Sequence, residues 1–99
     1  MSAYFIAHYV VNNASLYAEY AQGASSTIGK FGGEVIVFDV ASRTIEGATP
    51  GPQTVVIKFE STEQADAWYG SSEYQAVVGK RLEATNGFSV ISQSMNVGA

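Results

Sequence analysis

The sequence predicts an α+β fold of the ferredoxin-like kind. The order β-α-β-β-α-β gives a four-stranded antiparallel sheet with two helices on one face. Three observations predict it. Two strand-length runs, Tyr4 to Val11 and Glu34 to Val40, flank a helical stripe. A capped and broken helical stretch fills Phe59 to Leu82, and a strand run stands on each side of it. Right-handed crossovers then carry both helices to the same side of the sheet.

Tyr4 to Val11 is apolar on both faces, with Tyr4, Ile6, His8 and Val10 alternating against Phe5, Ala7, Tyr9 and Val11. Such a strand belongs mid-sheet with material packed on each side. Asn12-Asn13 supplies an N-cap. The helix that follows, about Ala14 to Phe31, carries Tyr17, Tyr20, Ala21, Ala24, Ile28 and Phe31 at helical spacing. Gly32-Gly33 ends it, because the residue past a helix end favours a left-handed backbone. Glu34 to Val40 is a second two-faced strand. Residues 41 to 52 are looser, continuing as irregular strand through Arg43 to Glu46 and turning at Thr49-Pro50-Gly51. Gln53 to Glu60 is the third strand.

The long helical crossover opens with two capping patterns, Ser61 with Gln64 and Ser72 with Gln75. Gly70-Ser71 is the break, with Trp68, Tyr69 and Tyr74 around it. Tyr74, Val77, Val78 and Leu82 form the stripe of the second half, with Arg81 alongside. Asn86-Gly87 is expected to close that helix. Phe88 to Met95 is the fourth strand, and Asn96 to Ala99 a polar tail.

Ninety-nine residues make a single domain, 1–99, with one core. Apolar residues are 46% of the chain and charged ones only 14%, so some of the exterior is expected to be covered by another chain. The net charge of −4 and five scattered basic residues argue against a nucleic-acid partner. No apolar run reaches the roughly 18 residues of a membrane span. Cysteine is absent, which fits a cytoplasmic protein, and no signal peptide is read at the start. With both helices spent on one face of the sheet, the apolar residues of the other face need a cover. A second copy of the sheet is the simplest, so an obligate homodimer is expected.

The runs AHYVVNNASLYAEYAQGA, KFGGEVIVF, IEG and VVIKFESTEQADAWYGSSEYQAVVGKRL resemble the domain-of-unknown-function family numbered 1330, within the dimeric α+β barrel superfamily. The most specific residues are Phe59, Ala67, Trp68, Tyr69, Ser72, Glu73, Tyr74 and Arg81, joined by Tyr20, Gly32-Gly33 and Glu46-Gly47. Asn13-Ala14 stands where that family often has Asp-Pro, and both start a helix. The resemblance implies the fold and the dimer but no activity. Superfamily relatives include cofactor-free monooxygenases, lactone isomerases and haem enzymes, so chemistry does not transfer by fold.

His8, the only histidine, is read either as a hydrogen-bonded core or interface residue, or as a catalytic base or substrate-orienting donor in a pocket between sheet and helices. No cysteine or second histidine accompanies it, so neither a metal nor another cofactor is expected. Arg81 is the second catalytic candidate, an anion clamp at a pocket mouth; its structural alternative is an ion pair with Glu46 or Glu73. Tyr17, Tyr20, Trp68, Tyr69 and Tyr74 are candidate ligand-binding residues, lining either the core or a slot for a flat, partly polar small molecule. Three functions follow: a cofactor-independent monooxygenase or isomerase on a small aromatic or carbonyl compound, a non-catalytic small-molecule binding or sensor module, and a purely structural dimer.

Overall fold

The computed structural model describes residues 1–95. Its elements are β1 (Ala3–Val11), α1 (Ala14–Lys30), β2 (Glu34–Asp39), β3 (Gln53–Phe59), α2 (Thr62–Tyr69), α3 (Ser72–Ala84) and β4 (Thr85–Gln93). The strands form one antiparallel sheet in the order β2-β3-β1-β4. This is the ferredoxin-like arrangement with its second helix divided. The tail expected at Asn96 to Ala99 lies outside the described residues.

Period-two alternation decides what each strand buries. Ala3, Phe5, Ala7 and Tyr9 of β1, and Gln53, Val55, Ile57 and Phe59 of β3, are buried beneath the helices. Their neighbours Tyr4, Ile6, His8, Val10, Thr54 and Val56 face the opposite side, as the register with β4 and β2 requires. β2 is an edge strand with an irregularity between Val35 and Val37, and all six of its residues are exposed.

The helix ends obey local chemistry. Asn13 Oδ1 accepts from Leu16 N at 3.1 Å, satisfying a free amide of the first turn of α1. At the other end Gly32 adopts φ 77°, and Gly33 N donates to Ile28 O at 2.9 Å, closing a left-handed cap. Ser61 Oγ accepts from Gln64 N as expected, but the Gln64 side chain donates to Phe31 O and ties α2 to the end of α1. The cap of α3 is Ser71, not Ser72: its hydroxyl accepts from Tyr74 N, while Gln75 donates to Tyr69 O. Gly70 is the C-cap of α2, so the break falls where the glycine suggested.

Two further expectations are corrected. Residues 43 to 46 are not strand; the chain from 40 to 52 is irregular. Asn86-Gly87 does not close a helix either. Helix α3 ends at Ala84 and β4 starts at once, with Gly87 inside the strand opposite Tyr9. A Cβ on Gly87 would lie 2.2 Å from the His8 carbonyl oxygen and 2.5 Å from Tyr9 Cβ. The glycine is there for close approach, not for a turn. Gly87→Ala is expected to spread the β1–β4 pair and cost about 1–3 kcal/mol, as overpacking does, read as a lower urea midpoint at unchanged slope.

Candidate functional site

The helix side of the sheet gathers the aromatic residues. Trp68, fully buried, packs its ring 4.1 Å from Tyr74, 5.1 Å from Phe5 and 5.3 Å from Phe59 between centroids. Its Nε1 donates to Thr27 Oγ1 at 3.0 Å, which ties α2 to α1. Tyr69 is half-buried beside Tyr74 and Phe5. Tyr20 and Tyr74 hydroxyls meet at 2.8 Å, and so do Tyr9 and Tyr17. Gln53 Nε2 donates to Tyr17 Oη at 2.9 Å.

Arg81 lies at the centre of these rings. Spacings of four and three residues put Tyr74, Val78 and Arg81 on the buried stripe of α3, whereas Leu82, expected on that stripe, is exposed. Only 4% of Arg81 is accessible, and its guanidinium carbon is 5.8 Å from the Tyr9 ring centroid, 5.9 Å from Phe5 and 6.0 Å from Tyr20. The expected carboxylate partner is missing among the described residues: Glu73 pairs with Lys30 instead, and Glu46 lies on the far side of the sheet. The Nε of Arg81 has no hydrogen-bond partner there.

Burial works against the guanidinium charge, but the Tyr74, Tyr20 and Tyr9 phenols beside it more than offset this, and its pKa is raised. Burial likewise pushes the Tyr9, Tyr17, Tyr20 and Tyr74 phenols above their ordinary value. They are therefore neutral hydrogen-bond donors at physiological pH. The phenol oxygens can accept from the guanidinium, but no carboxylate among the described residues pairs with it, an arrangement that suits an incoming anion.

Arg81 reaches solvent through a cleft of about 200 Å³ that Tyr9, Tyr69, Thr85, Gly87 and Ser89 also line. Small residues on the helix face of β4 create that opening. A second, apolar slot of about 140 Å³ lies between α1 and β2, reaching Tyr9, Tyr17 and Tyr20 from the other direction.

His8 does not join this group. It is on the helix-free face, so the sheet separates it from Arg81, and the reading of His8 within a pocket between sheet and helices is corrected. Alternation is the reason: Tyr9 points to the helices, and its neighbour must point away. His8 Nδ1 and Thr54 Oγ1 are 3.0 Å apart, Thr54 Oγ1 and Ser42 Oγ 2.7 Å, and the buried Nε2 has no partner among the described residues. This chain borders an open cleft of about 410 Å³ whose lining includes Arg43, Thr44 and Glu46. No group of three or more His, Cys, Asp or Glu able to hold a metal occurs among the described residues. Among them, too, no helix is long and apolar enough to cross a membrane.

Sequence reasoning missed Phe5, Tyr9, Gln53 and Thr27 as parts of the aromatic site. The signal was present in the alternation of β1, which puts Phe5 and Tyr9 on one face.

Fold and site together define a ferredoxin-like α+β protein with a buried, phenol-ringed arginine between its sheet and its helices. The chain belongs to the family described as a domain of unknown function, DUF1330, whose profile matches residues 2–95. No curated protein matches the sequence. Among solved structures it is similar to the RPA0582 protein of unknown function from Rhodopseudomonas palustris, with a TM-score of 0.80 at 12% identity, covering 96% of this chain and 83% of that one. It is also similar to a Caulobacter crescentus protein described as a candidate antibiotic biosynthesis monooxygenase (TM-score 0.63, 14% identity, 92% and 85% covered). A third is a dimeric protein of unknown function with a ferredoxin-like fold from Bacteroides fragilis (TM-score 0.62, 9% identity, 94% and 96% covered). At these identities the likeness establishes the fold.

Proposed function

We propose that residues 1–99 act as one dimeric α+β barrel domain whose helix-covered interior binds a small organic oxyanion, a carboxylate or an enolate, at Arg81. The observation that carries this is the buried guanidinium with an unpartnered Nε and no carboxylate beside it. The phenols stabilise the charge, but the Nε–H is left without an acceptor, and a ligand oxygen entering by the β4 cleft would satisfy it. Two uses of the same site follow. In the catalytic one, a cofactor-independent monooxygenase or isomerase works on a small aromatic or carbonyl compound, and Arg81 with the phenols stabilises an enolate oxygen. In the other, the ligand is held without turnover, as in a binding or sensor module. The second is the better supported: His8, the histidine that would serve as base, stands across the sheet, and the phenols hold their protons.

The homodimer is supported by the apolar helix-free face and by the Bacteroides fragilis relative, which is dimeric. Neither nucleic acid nor membrane is a proposed partner, and the lack of cysteine suits the cytoplasm.

Calorimetric titration with benzoate, salicylate and acetoacetate tests the site. Wild-type protein is expected to bind at least one of them, and Arg81→Met to lose about tenfold or more in affinity, the scale of one charge-assisted hydrogen bond of about 1.5–3 kcal/mol. Methionine keeps the apolar volume, so the fold is expected to survive. Equal affinity in the two proteins would end the anion reading. Oxygen uptake or substrate isomerisation by wild-type protein, lost in Arg81→Met, selects the catalytic use; binding without product selects the sensor.

A further inference from the structure

The apolar slot between α1 and β2 is separate from the Arg81 cleft, and we infer that it is a second binding site, for a single aromatic ring carrying one acceptor oxygen. Three observations carry this beyond the oxyanion reading, on which it does not depend.

The first is size and lining. The slot holds about 140 Å³, and Ile28, Val35, Phe38, Val55 and Ile57 supply much of its wall. An apolar protein cavity of about 150 Å³ stays dry and takes a benzene ring, so one ring fits here and two do not. The second is what the slot leaves bare. Val35 is 46% exposed and Phe38 57%, both on the helix side of the edge strand, and a ring in the slot would cover them.

The third is a count of hydrogens on the phenols Tyr9, Tyr17 and Tyr20, which belong to the lining of the slot. The Tyr9 and Tyr17 hydroxyls together hold two hydrogens. One is spent on the 2.8 Å bond between them, and Gln53 adds a donor to Tyr17, not an acceptor. Whichever phenol donates to the other, one phenolic hydrogen remains without an acceptor among the described residues. The same arithmetic applies to Tyr20 and Tyr74. An apolar lining that includes phenols with a spare O–H matches an aryl ketone, aldehyde or alcohol; a carboxylate is not needed.

Acetophenone is the probe, with ethylbenzene (no oxygen) and 2-acetonaphthone (two rings) as comparisons, read by amide shifts of isotope-labelled protein. Acetophenone is expected to move amides of α1 and β2, Ala24, Ile28 and Phe38 among them. It is expected to bind about tenfold more tightly than either comparison, the ketone by its hydrogen bond and the bicycle by exclusion. The double variant Tyr9→Phe/Tyr17→Phe, which removes both hydrogens, is expected to cost acetophenone about fivefold and ethylbenzene nothing. Ala21→Phe, at an exposed rim position where folding is not at stake, is expected to abolish binding of both. Undiminished acetophenone binding in Ala21→Phe, equal affinity for the two-ring ketone, or no shift in α1 and β2 would each overturn the proposal. So would β2 shifts that follow protein concentration rather than acetophenone, which would mean that a second copy fills the slot. Benzoate binding at Arg81 is expected to be unchanged in Ala21→Phe, so the two sites can fail separately.

Discussion

Trp68→Ala is expected to remove about 3–5 kcal/mol of folding stability, the range for deleting a large buried aromatic. A domain of this size has a total of about 5–15 kcal/mol, so the loss is a large share of its stability. The reason lies in what the indole joins. It is completely buried, it contacts Phe5 of β1, Phe59 of β3 and Tyr74 of α3, and its N–H bonds to Thr27 of α1. Four elements therefore meet on one side chain. Neighbours cannot collapse into the vacated space without moving a strand or a helix, so the cavity cost adds to the lost transfer energy. Thr27→Val isolates the polar part: the indole N–H stays buried with no acceptor, at a cost of about 1–3 kcal/mol. Urea unfolding followed by far-ultraviolet dichroism measures both. A loss under about 1 kcal/mol for Trp68→Ala would mean that the core is organised around something else.

The Trp68 ring also braces the site. It backs Tyr74, Tyr74 bonds to Tyr20, and both phenols stand beside Arg81. Loosening Trp68 should therefore weaken any ligand held at Arg81, even in the fraction that remains folded.

The fold was legible because its signals are local. Alternation in Tyr4 to Val11, the stripe from Tyr17 to Phe31, the caps at Asn13 and Ser61 and the stop at Gly32 each depend on a few neighbouring residues. The misreadings came where a distant contact overrides local chemistry. Gly87 looks like a helix stop, yet it is fixed by the backbone of β1 pressing on it. Ser72 with Gln75 matches the capping pattern, yet Ser71 is the residue that caps α3. The site was legible in composition but not in grouping. Tyr17, Tyr20, Trp68, Tyr69, Tyr74 and Arg81 do come together, while His8, expected beside them as the only histidine, lies across the sheet. The two-residue period puts His8 and Tyr9 on opposite faces, but it does not say which face the helices cover. The lack of an acid beside Arg81 could not have been read at all, because Glu73 stands one residue before Tyr74, about 100° around the helix from the buried stripe, and takes Lys30 across a helix pair.

Val90→Glu is expected to dissociate the proposed dimer, weakening association by about a hundredfold or more. Val90 lies on the helix-free face opposite Ile6, with Val56 across β1 and Phe88 two residues away on the same face. In a single chain it is 45% exposed and Phe88 is 52% exposed, so a carboxylate there would be solvated and folding of one chain should change by no more than about 0.5 kcal/mol. Against a second sheet the same carboxylate loses its water with no cation described on its own strand, at a cost of several kcal/mol. A two-fold interface would meet the substitution twice. One added charge could also act through general repulsion between two acidic chains, and Gln22→Glu on the exposed side of α1 adds that charge without touching the face. Sedimentation velocity across a micromolar range separates the cases. Dimeric wild-type and Gln22→Glu with monomeric, folded Val90→Glu places the second copy on this face. A Val90→Glu protein as dimeric as its parent moves the contact elsewhere, and a wild-type monomer removes it.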